Sequence, residues 1–426
     1  MAHAASKPTN PVFSELQSLT RIEKFFIFFS MLTGFLIAFE YSTTRPPSSA
    51  IFLTTFSSNM IPWVWLISVP FNLSVVYLYN RYLPKLGPVR MLGIISAVVS
   101  IVHLVCAFAL HHFPQFIFFQ FIWKDIYILL MFKQLWSMIH STITVSRAKY
   151  LYGCIFGMGT LGSIIGSFIP GFCAVGLGSE RLFLCTLPIY LLLYWSYSQA
   201  FKRSGLHGTF FSKDLTEDPR PQESFSLIRR SPFLITVLLL VIFMQVSVGL
   251  MDYQFNAHLE TNIIDKDLKT EYVGRMIGVT NICSGILQFV GGFLMVHLFG
   301  VRGSHLFVPF ILLGNALVCW MIPSFAIVSL SYILIKAIDF SLFGVIREML
   351  YIPMKLDEKF RAKAIIDVFA YRSSKALVSV CILSLQFLVA KELLGIVSVL
   401  SIAVFLGWIA VVFFLLRRVA PAIHLK

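Results

Sequence analysis

Charged side chains inside long apolar stretches are the residues of this sequence with the clearest chemistry. In the stretch 324–350, Lys336, Asp339 and Arg347 fall on one face of a helix. Lipid offers no partner for a charge, and insertion scales assign roughly 2.5–3.5 kcal/mol to a Lys or Arg at the centre of a spanning helix. Such a face is therefore expected to point into a polar interior, where Lys and Arg can donate charge-assisted hydrogen bonds to an anion.

A second charged face follows in the next apolar stretch. Asp367, Tyr371 and Lys375 are four residues apart, and Arg372 adjoins them. The apolar stretches and their ends hold seven cations and six acids, and this near balance leaves two interpretations open. The charges either hold helices together as ion pairs or line a cavity that binds an anion, and for Arg347, Arg372 and Lys375 we favour the cavity. The cations are Arg45, Lys124, Lys133, Lys336, Arg347, Arg372 and Lys375, and the acids are Glu40, Asp125, Asp252, Asp339, Glu348 and Asp367.

The composition indicates the medium in which these stretches lie. Hydrophobic residues make up 58% of the 426 and charged residues only 13%, about half the charged share of a soluble domain. A helix needs roughly 20 apolar residues to cross the hydrocarbon core of a bilayer. The sequence therefore predicts an all-α, polytopic membrane protein with twelve transmembrane helices. The predicted spans are 25–42, 60–80, 91–111, 116–142, 150–174, 182–200, 231–254, 276–298, 303–322, 324–350, 364–390 and 393–416.

The positions of Lys and Arg predict the orientation of these spans. With the N-terminus inside, 22 of the 34 Lys and Arg lie in inside segments and six, including Arg45, in outside ones. Cytoplasmic loops carry such an excess, so both termini are expected in the cytoplasm. Orientation also accounts for the net charge of +14, and nucleic acid is not an expected partner. The predicted organisation is a six-helix bundle at 1–200, a cytoplasmic linker at 201–230 and a second six-helix bundle at 231–426.

The two predicted bundles repeat one another. Three short motifs recur about half the chain length apart, each at an equivalent point of the topology. Two parallel six-helix repeats describe the major facilitator type of architecture, in which the substrate site lies near the membrane midplane between the halves. The motifs are Arg147-Ala148-Lys149 with Arg361-Ala362-Lys363, Glu40-Tyr41 with Asp252-Tyr253, and Gly87-Pro88-Val89-Arg90 with Gly300-Val301-Arg302.

Glycine and histidine patterns indicate packing rather than catalysis. Gly157, Gly159 and Gly162 have the spacing of a dinucleotide-binding loop, but no strand precedes them. Gly162 and Gly166 form a small-xxx-small pattern that allows close helix packing. The histidines show no metal-ligand spacing, and the sequence contains neither a Ser-His-Asp set nor a Walker-type loop. An enzyme is therefore not expected, nor is a cofactor or a metal.

Residues in the region 340–376 resemble a signature of the ATP/ADP translocase family, the nucleotide transporters of plastids and obligate intracellular bacteria. That signature usually reads Lys-Glu-Met-Ala-Tyr-Ile-Pro-Leu, then Lys-Ala-Ala-Ile-Asp-Val, then Arg and Gly-Lys. The resemblance implies a nucleotide or a related phosphorylated metabolite as the substrate. The matching residues here are Arg347-Glu348-Met349-Leu350-Tyr351-Ile352-Pro353-Met354, then Lys363-Ala364-Ile365-Ile366-Asp367-Val368, then Arg372 and Lys375.

The sequence departs from the family pattern at several charged positions. Ser48 and Ser49 stand where the family usually has a Lys-Asp pair, and Gln134 stands in place of a Glu. Asp252 replaces another Glu, and Arg347 replaces a Lys; Arg can still bind phosphate, with a different geometry. We therefore retain two hypotheses. The first is a secondary transporter that moves a nucleotide or related phosphorylated anion by alternating access, with nucleotide exchange as one mode. The second is a proton-coupled carrier of a different small metabolite.

Candidate site residues follow from the charged faces and from the resemblance. The expected partners are a small anionic substrate and the lipid bilayer, and the expected location is a bacterial inner membrane. Carboxylates in a low-dielectric cavity can change protonation near neutral pH, which makes four of them candidates for gating or proton coupling: Glu40, Asp252, Glu348 and Asp367. The candidate substrate-binding residues are Tyr41, Arg45, Lys133, Arg347, Tyr351, Arg372 and Lys375.

Overall fold

Helices make up all the regular secondary structure that is described. The computed structural model describes residues 19–143, 145–206, 228–229, 231–351, 356–389 and 392–419. Every regular element within these residues is helical, and nine of the helices are long and apolar enough to cross a membrane. The prediction of an all-α, membrane-spanning chain is thus confirmed. Most of the predicted linker at 201–230 lies outside the described residues.

The helices follow the predicted spans in number and order. Helices α6 and α7 flank Thr186 and together form one segment of membrane length, while π-helical turns at Leu287–Gly291 and Asp339–Phe343 join α9 to α10 and α11 to α12. In the first half the described helices are α1 Arg21–Phe56, α2 Ile61–Leu86, α3 Pro88–Ala109, α4 Phe116–Thr142, α5 Val145–Leu177, α6 Leu182–Cys185 and α7 Leu187–Arg203. In the second half they are α8 Pro232–Asn262, α9 Lys266–Ile286, α10 Gly292–Met321, α11 Phe325–Ile338, α12 Gly344–Leu350, α13 Leu356–Leu388 and α14 Leu393–Phe414.

Two helices that line the central space begin at capping residues. The Thr20 hydroxyl accepts from the Glu23 N–H at 3.3 Å, and the Glu23 carboxylate accepts from the Thr20 N–H at 2.8 Å. This reciprocal pair is a capping box at the start of α1. Asp265 caps α9 by accepting from the Leu268 N–H at 2.8 Å. The caps satisfy backbone donors that the first helical turn leaves unpaired.

Gly87 and Gly300 adopt the same backbone conformation in the two halves. Gly87, between α2 and α3, has φ 75° and ψ 161°, and Gly300, within α10, has φ 64° and ψ 177°. This combination is essentially restricted to glycine. At Gly300 the helical geometry is interrupted, so that α10 consists of two helical segments. The motif match between these positions therefore marks a repeated turn before the third span of each half.

Helix α1 is longer than hydropathy predicted. The predicted span ended at residue 42, whereas α1 continues to Phe56. The additional segment is rich in hydroxyl side chains, and Thr43 and Ser48 each donate to the carbonyl four residues earlier, at 2.9 and 2.8 Å. These side chains lower the hydropathy although their hydrogen bonds are made within the helix. Arg45, which was counted in an outside segment because the predicted span ended before it, lies within α1, one face of which lines the space between the halves.

Glycines allow α5 to pack closely against α1 and α9. A Cβ atom at Gly166 would overlap the Phe39 backbone of α1, and the Thr43 hydroxyl of α1 donates to the Gly166 carbonyl at 3.0 Å. On another side of α5, Gly171 lies against the Gly274 backbone of α9. The packing role predicted for Gly166 is confirmed. Because α5 belongs to the first half and α9 to the second, these contacts also join the two halves.

Candidate substrate-binding site

A charged cavity of about 320 Å³ lies between the two halves of the chain. Its wall comes from α1, α2 and α4 of the first half, from α8, α9, α11 and α13 of the second, and from the π-helical turn after α11. Among the described residues, four cations and three carboxylates line the cavity, which leaves one positive charge in excess. The cations are Arg45, Lys124, Lys336 and Lys375, and the carboxylates are Asp125, Asp252 and Asp339.

Helix α1 presents one polar face to this cavity. Tyr41, Arg45 and Ser49 are four residues apart and all line it. An Arg45 guanidinium nitrogen donates to the Tyr332 hydroxyl at 3.1 Å, and this contact crosses from α1 of the first half to α11 of the second. The Arg45 guanidinium carbon also lies 6.0 Å from the centre of the Tyr41 ring.

Asp125 connects three of the other cavity residues. Its carboxylate accepts a hydrogen bond from the Tyr41 hydroxyl at 2.9 Å and lies 3.4 Å from the Lys124 ammonium. The other carboxylate oxygen lies 3.7 Å from the ammonium of Lys375 on α13. Lys124 is buried and also donates to the Phe121 carbonyl at 3.0 Å. Asp125 therefore lies between a buried cation of its own helix and an accessible cation of the opposite half.

The second half contributes a similar pair of contacts. Lys336 on α11 donates to the Asp252 carboxylate on α8 at 2.7 Å, and Gln245 donates to the Asp339 carboxylate at 2.9 Å. Asp252 follows Tyr41 by 211 residues, and Lys336 follows Asp125 by the same number. Both halves thus hold a polar contact between corresponding helices, α1 with α4 and α8 with α11, although the sequence repeat aligns Asp252 with Glu40 rather than with Tyr41.

An aromatic compartment of about 410 Å³ adjoins the charged cavity. Tyr41, Arg45 and Phe340 line both spaces. The rings of Trp136 on α4 and Phe156 on α5 form part of its wall, with centroids 4.6 Å apart. Arg45 therefore stands where a largely apolar space meets a charged one.

Four of the candidate residues from the sequence line these spaces, and the described side chains of the others lie outside them. The four are Tyr41, Arg45, Asp252 and Lys375. Lys133 donates to Asn80 at 3.2 Å within the first half. Arg372 on α13 donates to Asn72 on α2 at 3.0 Å and so connects the two halves.

The remaining candidates have different surroundings. Arg347 and Glu348 lie 3.8 Å apart in α12, and Tyr351, just after that helix, is fully buried. Glu40 is also fully buried, where it accepts hydrogen bonds from Thr44 at 2.6 Å and from Tyr127 at 2.8 Å. The side chain of the last candidate, Asp367, lies outside the part of the chain that the structure describes.

Several cavity residues were not among the candidates. Lys124, Asp125, Lys336 and Asp339 were recognised as charges within spans, and that position was already the signal for an interior role. Tyr332, Gln245 and Asn256 also line the cavity and carry no charge. Their contribution depends on which helices face each other, and the spacing of residues along one helix does not contain that information.

The fold and the cavity together define a class of protein: a multi-pass helical membrane protein of the major facilitator type. The chain is similar to the crystal structure of a mutant nucleoside transporter, NupG, with a TM-score of 0.69 at 11% identity, over 92% of this chain and 100% of that one. It is similar to a POT family transporter, with a TM-score of 0.61 at 13% identity over 93% and 96%. It is also similar to a bacterial homolog of the human lysosomal transporter Spinster, with a TM-score of 0.56 at 13% identity over 93% and 97%. At such low identity these similarities concern the fold alone.

Sequence comparison finds similarity to one transporter family. Residues 316–418 match the TLC ATP/ADP transporter family. ADP,ATP carrier protein 1 of Chlamydia muridarum is 24% identical over 304 residues, 62% of this chain and 56% of that carrier. The carrier of the same name from Chlamydia trachomatis is 24% identical over 305 residues, 62% and 57%. The chain thus spans little more than half the length of these curated relatives. These matches connect part of the chain to the ATP/ADP transporter family, which its motifs also resemble.

Proposed function

We propose that the chain is a secondary carrier that moves a nucleotide or related phosphorylated anion across the membrane by alternating access. The observation that carries this proposal is the charged cavity, to which both halves of the chain contribute cations. Lys and Arg side chains that converge on one space are suited to phosphate oxygens, because their hydrogen bonds to an anion are charge-assisted. The names of the curated relatives, ADP,ATP carriers, support a nucleotide as the substrate.

Arg45 and Lys375 are the cations best placed to exchange a protein partner for the ligand. Arg45 contacts the neutral Tyr332 hydroxyl, and Lys375 lies 3.7 Å from Asp125 with 46% of its side chain exposed. Exposed ion pairs contribute only about 0–1 kcal/mol, so a phosphate competes effectively for Lys375. Both contacts cross between the halves. Ligand binding therefore replaces contacts between the halves with contacts to the ligand, which couples binding to their relative movement.

The other candidate residues take supporting parts in this proposal. Arg372 joins α13 to α2 through Asn72, and this contact changes whenever the halves move. Four candidates do not line the cavity in this structure: Lys133, Arg347, Glu348 and Tyr351. We assign them to other states of the transport cycle, in which the cavity has a different shape. Glu40, bound by Tyr127, positions α4 against α1, and Asp252 positions Lys336. The role of Asp367 remains the coupling role expected from the sequence.

The proposed setting is a bacterial inner membrane with both termini in the cytoplasm. The bundles 1–200 and 231–426 are the moving bodies, and 201–230 joins them on the cytoplasmic side. The distribution of Lys and Arg supports this orientation. In it, the end of α1 faces the outside, where the Glu260 carboxylate accepts from the Ser58 N–H at 2.7 Å. The conformation described here is then closed toward the outside at that contact.

Uptake by purified protein in liposomes tests the proposal. Labelled nucleotides are offered outside, with and without unlabelled nucleotide inside. Arg45→Gln and Lys375→Gln are expected to lower the uptake rate at least tenfold, because each removes a cation from the cavity. Lys85→Gln in the last turn of α2 and Arg90→Gln in the first turn of α3 are matched controls at exposed positions, and they are expected to transport at the wild-type rate.

Two results would contradict the proposed function. One is wild-type uptake by both cavity variants, with size-exclusion chromatography showing that they are folded. The other is the failure of the wild-type protein to take up any phosphorylated metabolite in a panel of nucleotides and sugar phosphates.

A further inference from the structure

The charged cavity and the aromatic compartment form one site with two chemically different ends. Tyr41, Arg45 and Phe340 are common to both. Among the described residues that line the aromatic compartment, Arg45 is the single charged side chain. A ligand that fills both spaces therefore has an uncharged part on one side of Arg45 and an anionic part at Arg45 or beyond it.

The aromatic compartment has the features of a site for a heterocyclic ring. Trp136 and Phe156 offer closely spaced aromatic surfaces, with centroids 4.6 Å apart, against which a flat ring can pack. The side-chain amide nitrogen of Asn281 on α9 lines the same space. This nitrogen is buried and has no hydrogen-bond partner within the described residues. Since a buried donor without a partner is unfavourable, a ring that carries an acceptor atom completes the site.

The charged cavity limits how many negative charges the ligand can bring. Lys336 is buried against Asp252, and Lys124 is buried beside Asp125. Their charges are already balanced within the protein. Arg45 forms no ion pair among the described residues; its guanidinium donates to the Tyr332 hydroxyl instead. One excess positive charge balances an anion of low charge, whereas several uncompensated charges in a space shielded from water are strongly unfavourable.

We infer that the ligand is a nucleoside carrying a single phosphoryl group, with its ring in the aromatic compartment and its phosphoryl group at Arg45. This monophosphate binds in preference to the triphosphate. The inference rests on the proposed function, because it specifies which nucleotide the carrier takes. A phosphomonoester carries a charge of about −1.5 to −2 at pH 7. Among the phosphorylated forms of a nucleoside, the monophosphate has the negative charge nearest in size to the single excess positive charge of the cavity.

Equilibrium binding to the purified full-length chain tests this inference. The probes are the 5′-monophosphates and triphosphates of adenosine, guanosine, cytidine and uridine, the four unphosphorylated nucleosides, and ribose 5-phosphate. At least one monophosphate is expected to bind ten times more tightly than its triphosphate. Arg45→Gln is expected to weaken that monophosphate at least tenfold while leaving its nucleoside within twofold. Trp136→Leu is expected to weaken the monophosphate at least tenfold while leaving ribose 5-phosphate within twofold.

Controls separate the inference from the proposed function. Arg90→Gln, an exposed position in the first turn of α3, is expected to bind every probe as the wild type does. Arg45→Lys retains the charge and serves if Arg45→Gln does not fold; its monophosphate affinity is expected to fall with that of the nucleoside unchanged. A triphosphate that binds as tightly as its monophosphate, or more tightly, overturns the inference and leaves the proposed function standing. Failure of every phosphorylated probe to bind overturns both.

Discussion

Lys336 and Asp252 show how a charge is held within the membrane-spanning region of this chain. They lie 2.7 Å apart, with 8% and 20% of their side chains exposed. Taking charges out of water is costly, and removing one partner of a buried pair leaves the other uncompensated. The pair therefore holds α11 against α8 and adds no net charge to the cavity.

Asp252→Asn is expected to destabilise the folded chain. Loss of one partner of a buried ion pair costs about 3–5 kcal/mol, so a clear decrease in the thermal unfolding midpoint in detergent is expected. The double variant Asp252→Asn, Lys336→Met is expected to recover part of the loss, because no unpaired charge remains. Glu271→Gln is the control, since its partner Arg275 is half exposed and such a pair contributes little. An Asp252→Asn midpoint equal to that of Glu271→Gln would contradict this account.

The sequence predicted which residues carry charge into the interior but not which partners they find. Lys336 and Asp339 are three residues apart on one helical face, a spacing at which two side chains can pair with each other. Instead Lys336 contacts Asp252 on α8, and Asp339 accepts from Gln245. Residues three apart can meet on a helix, yet a partner on a neighbouring helix competes with the local one. Helix packing decides between them, and that packing is not encoded in the spacing along one helix.

At the scale of the helices, hydropathy located the spans and was least accurate where the site lies. α1 extends beyond its predicted end because hydroxyl side chains lower its hydropathy, and that extension carries Arg45. α4, which carries Lys124 and Asp125, is absent from the nine described helices that are long and apolar enough to cross a membrane. The charges that form the cavity are thus the same charges that weaken the hydropathy signal of its helices.

The contact between α1 and α5 offers a test at this scale. A Cβ atom at Gly166 would overlap the Phe39 backbone, so Gly166→Ala must move one helix away from the other. Overpacking of this kind costs about 1–3 kcal/mol, and a lower thermal unfolding midpoint is expected. Gly176→Ala is a matched control on the same helix, because a Cβ there meets nothing within 4 Å. It is expected to leave the midpoint unchanged or slightly higher, since Ala favours helix over Gly. Equal midpoints for the two variants would count against the close α1–α5 contact.

At the scale of the whole molecule, contacts join the two halves at the end where α1 stops. Glu260 of α8 accepts from the Ser58 N–H at 2.7 Å, and Gln386 of α13 donates to the Asn59 carbonyl at 3.3 Å. At the same end, the Asp267 carboxylate of α9 accepts from the Ser179 N–H at 2.8 Å. The repeats in the sequence predicted two similar halves. They did not predict which end is closed, because in the proposed transport cycle the same sequence adopts both the open and the closed arrangement, with a small difference in free energy.

The Glu260 contact is expected to control access from that end. A hydrogen bond to a charged group contributes about 1.5–3 kcal/mol, and a shift of about 1.4 kcal/mol changes a two-state equilibrium constant about tenfold.

Ser49→Cys places a thiol on the cavity wall, in a background whose native cysteines are replaced by serine. In spheroplasts, with the orientation proposed above, a membrane-impermeant maleimide reaches this thiol only when the outer end opens. Glu260→Gln is therefore expected to raise the modification rate about tenfold. Glu23→Gln, at the cap at the other end of α1, is expected to leave the rate unchanged. An equal rate in both variants would mean that the outer closure does not depend on the Glu260 carboxylate.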